Sequence, residues 1–243
     1  MSVLAAERSK LFSTRSPWWC SALAVAVVVG LTAMATGAAS DSAGPMPTEI
    51  AQTFLQMGMA FVLVMAAVSV TTEYRFSTIR TTFQAVPNRS SVLLAKTAVV
   101  AVVAAVVGLV GSFGAWAAAS LLQPDPSLAL SAVGQWRAVA GAGLVFAVAA
   151  VIAVAVGVLI RQTAGAVSVL LVWPLLVENM VVAIPGVGDD IYPWMPFINA
   201  FHFLYGTDGD GMPFGPWGSL AYVAAVAGAL LVAALVVANR RDA

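Results

Sequence analysis

Apolar residues run along this chain in six stretches of about twenty or more, each closed by charge, proline or glycine, and polar residues are confined to the gaps between them. The stretches run from Pro17 to Gly37, Ile50 to Val70, Val92 to Leu122, Ala138 to Ile160, Ala164 to Ile184 and Trp217 to Ala238. A helix needs about 20 apolar residues to cross the hydrocarbon core, so each reads as a membrane span. The third is too long for an upright span and is expected to tilt or project. The expected fold class is all-α: a polytopic membrane protein with six transmembrane helices.

Composition agrees with this pattern. The chain is 61% hydrophobic and 9% charged, with a mean hydropathy of +0.95, which is far from a soluble domain's mixture. Its formal charge of zero hides a split. Arg8, Lys10, Arg15, Arg75, Arg80, Arg89, Lys96, Arg161, Arg240 and Arg241 lie on the termini or on the even-numbered loops. Asp41, Glu49, Asp125, Asp189, Asp190, Asp208 and Asp210 lie on the other side, where Arg137 is the one cation. By the positive-inside rule both termini are expected in the cytoplasm. Trp18 and Trp19 fit an inner aromatic belt, and Trp136, Trp194 and Trp217 an outer one. The first stretch resembles a secretory leader with a small-residue site at Ala33-Met34-Ala35, but its apolar run is too long, so it is read as a span. Cys20 stands alone and is expected to pack against lipid or a helix.

Several chemistries are not encoded. The sequence holds no phosphate-binding G-x-x-x-x-G-K-[ST], no H-E-x-x-H and a single histidine. Gly111-Ser112 lacks the second glycine of a serine-nucleophile turn, and His202 falls in an outer loop. Neither an enzyme nor a metal site is expected. Asp208-Gly209-Asp210-Gly211 has the start of a calcium loop, yet Ser219 stands where the closing glutamate belongs, so a glycine-rich turn is the better reading.

The polar loop at 71–91 between spans two and three is the most informative segment. Ser77 or Thr78 is placed to cap a short helix and Pro87 to end it. Phe76, Ile79, Phe83 and Val86 recur at helical offsets, with Arg75, Arg80 and Arg89 around them. One reading is a helix that enters a groove on a partner. The other is a basic amphipathic helix on anionic headgroups, and the residues alone leave both open.

Taken together, Glu7 to Lys10 ahead of span one, the six spans, and Glu73, Arg75, Thr78-Ile79-Arg80-Thr81-Thr82, Pro87, Arg89 and Lys96 resemble ABC-2 type transporter permease subunits of the actinobacterial type. The motif covers residues 73–96, and the topology extends the resemblance over the chain. Ser77 departs from the glycine that relatives often carry there; a serine cap is expected to serve the same helix start. The resemblance implies an ABC-2, type V exporter-like transmembrane domain with an N-terminal interfacial helix at 1–16 and short re-entrant helices in the outer loop at 185–216. It implies a second permease copy or paralogue and separate cytoplasmic ABC ATPase subunits. ATP and magnesium would be bound by those subunits, with no cofactor in this chain and no nucleic-acid partner. The docking residues would be Glu73, Arg75, Phe76, Thr78, Ile79, Arg80, Phe83 and Arg89.

Residues 2–15 set Leu4 and Leu11 on one helical line with Arg8 and Arg15 beside it, which suits an interfacial helix or a plain basic leader. Glu178 lies well inside span five, where a charge needs a partner or water. Arg137 is the expected ion-pair partner and Asn179 a further hydrogen-bonding group; a structural pair and a substrate contact both remain open. Gln52 and Gln56 share a face of span two and suit either a pathway lining or interhelical hydrogen bonds. Gly108, Gly111, Ser112 and Gly114, with Gly141 and Gly143, permit close helix packing. Pro196 to Tyr205 is expected to form a short helix whose aromatic side dips into the outer leaflet, with His202 as one of its interfacial residues.

The expected function is the permease subunit of an ATP-driven exporter for a hydrophobic or amphipathic substrate. The alternative is a stand-alone secondary transporter or channel driven by an ion gradient. A membrane scaffold without transport activity is a third class.

Overall fold

A computed structural model describes residues 3–38, 48–86, 88–209 and 211–240. Asp41, Pro87, Asp210 and Arg241, and the side chains of Glu49, Arg80 and Phe83, lie outside the described residues. Among those residues every regular element is helical. In chain order these are α1 (Val3–Ser13), α2 (Ser16–Ala38), α3 (Thr48–Ala51), α4 (Leu55–Arg75), α5 (Thr78–Ala85), α6 (Arg89–Leu122), α7 (Val133–Ala140), α8 (Ala142–Ile160), α9 (Thr163–Val172), α10 (Glu178–Val181), α11 (Gly188–Ile191), α12 (Pro196–Tyr205) and α13 (Pro216–Arg240).

Six helices are long and apolar enough to cross a membrane: α2, α4, α6, α8, the composite Thr163–Val181 and α13. The protein is therefore a helical membrane protein. α6, at 34 residues, is about 50 Å long, well beyond a hydrocarbon core of about 30 Å. Its start at Arg89, capped by Asn88 accepting from the Ser91 N–H, carries the apolar span out past Lys96.

α8 is the hub, packed against α4, α6 and α13. It reaches α6 through a reciprocal pair of glycines. A Cβ on Gly108 would lie 2.7 Å from the Phe146 ring, and one on Gly143 would lie 2.8 Å from Leu109 Cγ. The crossing needs both positions bare, which is the small-residue packing that apolar helices use in place of a hydrophobic driving force.

Two helices differ from the simple spans. Span two begins at Leu55 because Gln52–Phe54 form a turn instead of a helical one. Span five is interrupted: Trp173–Val177 is a π turn in which the Glu178 N–H reaches back to the Trp173 carbonyl. Pro174 is the cause, since proline has no N–H to donate and its ring crowds the preceding turn. The freed Pro174 carbonyl accepts from Gln56 Nε2 and Asn179 Nδ2, both at 3.1 Å.

Ser77 does not cap α5. It takes φ 57°, the left-handed region, and its side chain makes no capping bond. A β-carbon is strained there and glycine is not, so the glycine of the resembling permeases is the better fit to this turn. Ser77→Gly is expected to raise stability by roughly 0.5–1 kcal/mol, the strain relieved less the added freedom of the unfolded chain. A higher unfolding midpoint in detergent checks this; a lower one would mean that the Ser77 side chain stabilises the turn.

Candidate functional site

The polar residues collect at the two ends of the bundle. At the end that carries Lys10, Arg75, Arg89 and Arg240, four charges close a ring. Lys96 Nζ lies 2.6 Å from Glu7 Oε2 and 3.0 Å from Glu73 Oε1; Lys10 Nζ lies 2.9 Å from Glu7 Oε1 and 3.6 Å from Glu73 Oε1. The carboxylates and ammonium groups alternate, so each charge has two opposite neighbours and the ring is neutral. Glu7 and Lys96 are buried, at 2% and 6% side-chain exposure. Lys10 also donates to Thr82 Oγ1 at 3.0 Å. Through this ring α1, α4, α5 and α6 are tied together.

The N-terminal helix is held by that chemistry more than by an apolar line. Leu11 is buried but Leu4 is half exposed, so the two leucines expected to share a role do not. Burial pushes the Glu7 carboxyl up, but the Lys96 charge and hydrogen bonds from Lys96 and Lys10 outweigh it, leaving Glu7 below the ordinary value. Burial pushes Lys10 down, and bonding to Glu7 and the charge of Glu73 carry it above the ordinary value. Glu7 therefore stabilises the folded state fully above the unfolded carboxyl value of about 4.3 and loses that effect as pH falls through its lower folded value. Lys10 stabilises fully below about 10.4 and loses that effect as pH rises through its higher folded value. The Glu7–Lys10 contact is therefore intact across the neutral range.

The docking residues separate. Phe76 is 67% exposed, with the Arg75 guanidinium 5.5 Å from its ring centroid, while Ile79 is 1% exposed and faces the protein. The single apolar stripe expected through Phe76, Ile79 and Val86 is thus corrected: Phe76 closes α4, the left-handed Ser77 intervenes, and Phe76 is not on the helix that carries Ile79. Arg89 Nη1 donates to the Ala238 carbonyl at 3.1 Å, at the C-terminal end of α13, where the helix dipole favours a cation. Thr78 Oγ1 reaches the Glu73 carbonyl at 3.5 Å.

At the opposite end, Glu178 is fully buried and accepts three N–H groups: Trp173 Nε1 at 2.8 Å, Phe197 at 3.2 Å and Ile198 at 2.9 Å. The last two open α12. The expected Arg137–Glu178 pair does not form. Arg137 Nη2 donates instead to the Gly206 carbonyl, at the far end of the same helix. A carboxylate sits on the positive end of α12 and a guanidinium on its negative end, about 15 Å apart, and the helix dipole connects them.

Gln56, Glu178 and Asn179, with Thr53 and Tyr205, border a cleft of about 350 Å³. Gln52 is not among them. It donates to the Ser112 carbonyl at 3.1 Å, and Ser112 Oγ lies 2.9 Å from Gln52 Oε1 and 2.8 Å from the Val139 carbonyl. It is the interhelical bond of the two roles open to it. The aromatic side of α12 turns inward at Phe197 and Phe203, 4% and 0% exposed, instead of toward lipid. His202 Nδ1 lies 2.8 Å from Ser219 Oγ and joins α12 to α13. Gly209 and Gly211 both have positive φ, as the glycine-rich turn requires.

Sequence reading missed the ring and the part of Trp173. A signal for the ring was present: Lys96 lies inside an apolar run, and Glu7 is the one acid in an otherwise basic leader.

Two outcomes follow. Lys96→Met leaves Glu7 and Glu73 to share Lys10 alone, with a net negative charge, and is expected to cost about 3–5 kcal/mol, with much of it restored by adding Glu7→Gln, as read by SDS titration. Glu178→Gln and Arg137→Met are each expected to cost about 1–3 kcal/mol and to be additive to within about 0.5 kcal/mol; strong coupling in that double-mutant cycle would restore the direct pair. No family model matches the chain, and no curated protein is similar to it.

Proposed function

We propose that the protein is an ABC-2 type permease subunit of an ATP-driven exporter in the cell membrane, with its arginine-bearing end in the cytoplasm. It works by alternating access, paired with a second permease copy or paralogue and with separate ABC ATPase subunits that bind and hydrolyse ATP. The substrate is hydrophobic or amphipathic.

The observation that carries this reading is the exposed Phe76, flanked by Arg75, at the junction of α4 and α5, directly beside a charge ring that joins four helices. An exposed aromatic beside an arginine suits the centre of a protein interface. The ring gives a push received there a rigid route into α4 and α6. Ile79 holds α5 to the bundle from inside, and Phe76 offers the contact. At the other end, Thr53, Gln56 and Asn179 line the cleft and are the candidate pathway residues.

One observation favours the ion-coupled alternative: a π turn lies beside a buried carboxylate, a feature that carriers use at coupling sites. Glu178, however, already accepts three N–H groups, which leaves it holding α12 and not facing a passing ion.

The partner should be an ATPase with a phosphate loop encoded in a neighbouring reading frame. Co-expressed with it, the detergent-extracted protein is expected to retain the ATPase, and Phe76→Asp is expected to weaken that association at least about tenfold while leaving the unfolding midpoint nearly unchanged. Failure of the ATPase to co-purify, or full retention by Phe76→Asp, would reject the docking reading.

A further inference from the structure

Between α2 and α6 an apolar groove of about 710 Å³ opens on the side of the bundle. On α2 it follows Trp18, Ala22, Ala26 and Gly30, each about one turn from the last, and Val106 and Val110 line it from α6. A Cβ added at Gly30 would meet nothing within 4 Å, so the space beside it belongs to the groove. One turn past Val110 the two helices close: a Cβ on Gly114 would lie 2.7 Å from Val29 Cγ2. From Trp18 to Gly30 is about 18 Å of helix, near the roughly 15 Å depth of one leaflet's hydrocarbon. The groove therefore starts at the arginine-bearing end and stops near the middle of the bilayer.

Along this length it offers no polar group. Ser21 supplies the one hydroxyl among the lining residues and donates it to Met65 Sδ at 3.7 Å, while Trp18 Nε1 donates to the Phe12 carbonyl at 3.4 Å. A buried water needs about two to four polar partners, so the groove suits hydrocarbon. At its mouth the chemistry changes. Trp18 and Trp19 are 61% and 67% exposed, and such rings lie at headgroup level. One turn outward from Trp18 is Arg15, which is exposed. Lys10, Lys96 and Arg89 direct their protons to other groups of the protein. The guanidinium groups of Arg8 and Arg15 have no partner among the described residues.

We propose that the groove seats one anionic phospholipid of that leaflet, with an acyl chain between α2 and α6 and the phosphate on Arg15. A guanidinium matches the paired oxygens of a phosphate. A zwitterionic headgroup would bring its own cation toward Arg8 and Arg15. A second copy of this chain meets a like obstacle: a two-fold contact over the groove would set two Arg15 side chains at one rim. Neither Glu7 nor Glu73 is free to separate them, since both are held by the lysines of the ring. The assignment does not rest on the transport reading, because its test is binding to this chain alone.

Native mass spectrometry of the full chain, released from maltoside micelles and titrated with dioleoyl phosphatidylglycerol or dioleoyl phosphatidylcholine, tests it. One phosphatidylglycerol is expected to bind saturably, at least about tenfold tighter than phosphatidylcholine. Arg15→Gln is expected to weaken phosphatidylglycerol about fivefold and to leave phosphatidylcholine nearly unchanged. Gly30→Phe fills the groove without touching the headgroup site, and is expected to weaken both lipids at least about fivefold while keeping their ratio. Equal affinity for the two lipids, or phosphatidylglycerol binding that either variant leaves unchanged, overturns the assignment. So does a two-chain species that Gly30→Phe splits and Arg15→Gln does not, which would put a second copy in the groove.

Discussion

An ammonium group on an apolar helix must find carboxylates within reach or draw the helix out of the bundle, and Lys96 finds two. Much of the arginine-bearing end is arranged around that requirement. Glu73 comes from α4, whose C-terminal turn has to end level with Lys96 for the contact to close. Glu7 comes from α1, which has little apolar surface of its own to bury and docks on α6 through this charge. Two carboxylates on one ammonium would leave a net negative charge in a buried place, and Lys10 removes it. Neutrality, not the strength of any one pair, is what makes four charges tolerable there.

The opposite end meets the same demand by a different route. Glu178 is a buried acid and Arg137 a half-buried base, and direct pairing is the obvious solution. The chain instead interposes α12, with two N–H groups on the carboxylate and one carbonyl on the guanidinium. A helix of ten residues has unsatisfied groups at both termini that need partners in any case. Setting the acid at one end and the base at the other satisfies the helix and both charges together, and it fixes where α12 lies against α8 and α13.

These two solutions mark the division between what was legible in the sequence and what was not. The six spans were legible because length and hydropathy decide them, and α12 was placed correctly at Pro196 to Tyr205 because proline opens helices and the aromatic spacing is helical. Local conformation was less so. Reading residues 76–86 as one continuous period missed the left-handed Ser77, which a non-glycine residue does not announce, and so set Ile79 outward when it is buried. Charge pairing failed for another reason: Arg137 and Glu178 were matched by sign and depth, whereas each is satisfied by backbone groups, and a sequence carries no mark of which backbone groups are free. Lys96 and Glu7 carried a signal, an unpartnered charge apiece, but the partner of a buried charge can be 89 residues away, as it is between those two positions.

The stiffness of the bundle follows from the same contacts. α4 is an unbroken helix of 21 residues tied at one end to the charge ring and at the other to Pro174 through Gln56. α6 is unbroken over its 34 residues and locked to α8 where Gly108 and Gly143 leave no gap. Neither has a place to bend. The composite fifth span does: at Pro174 the regular ladder is lost, and two side-chain amides on one carbonyl replace it. One of those amides, Gln56, belongs to α4. A displacement of α4 along its length therefore reaches span five at its weakest point and, four residues further on, the carboxylate that holds α12. In the proposed exporter this is the direct mechanical line from the arginine-bearing end to the cleft, and it runs through Glu73, Gln56, Pro174 and Glu178 without requiring any long helix to deform.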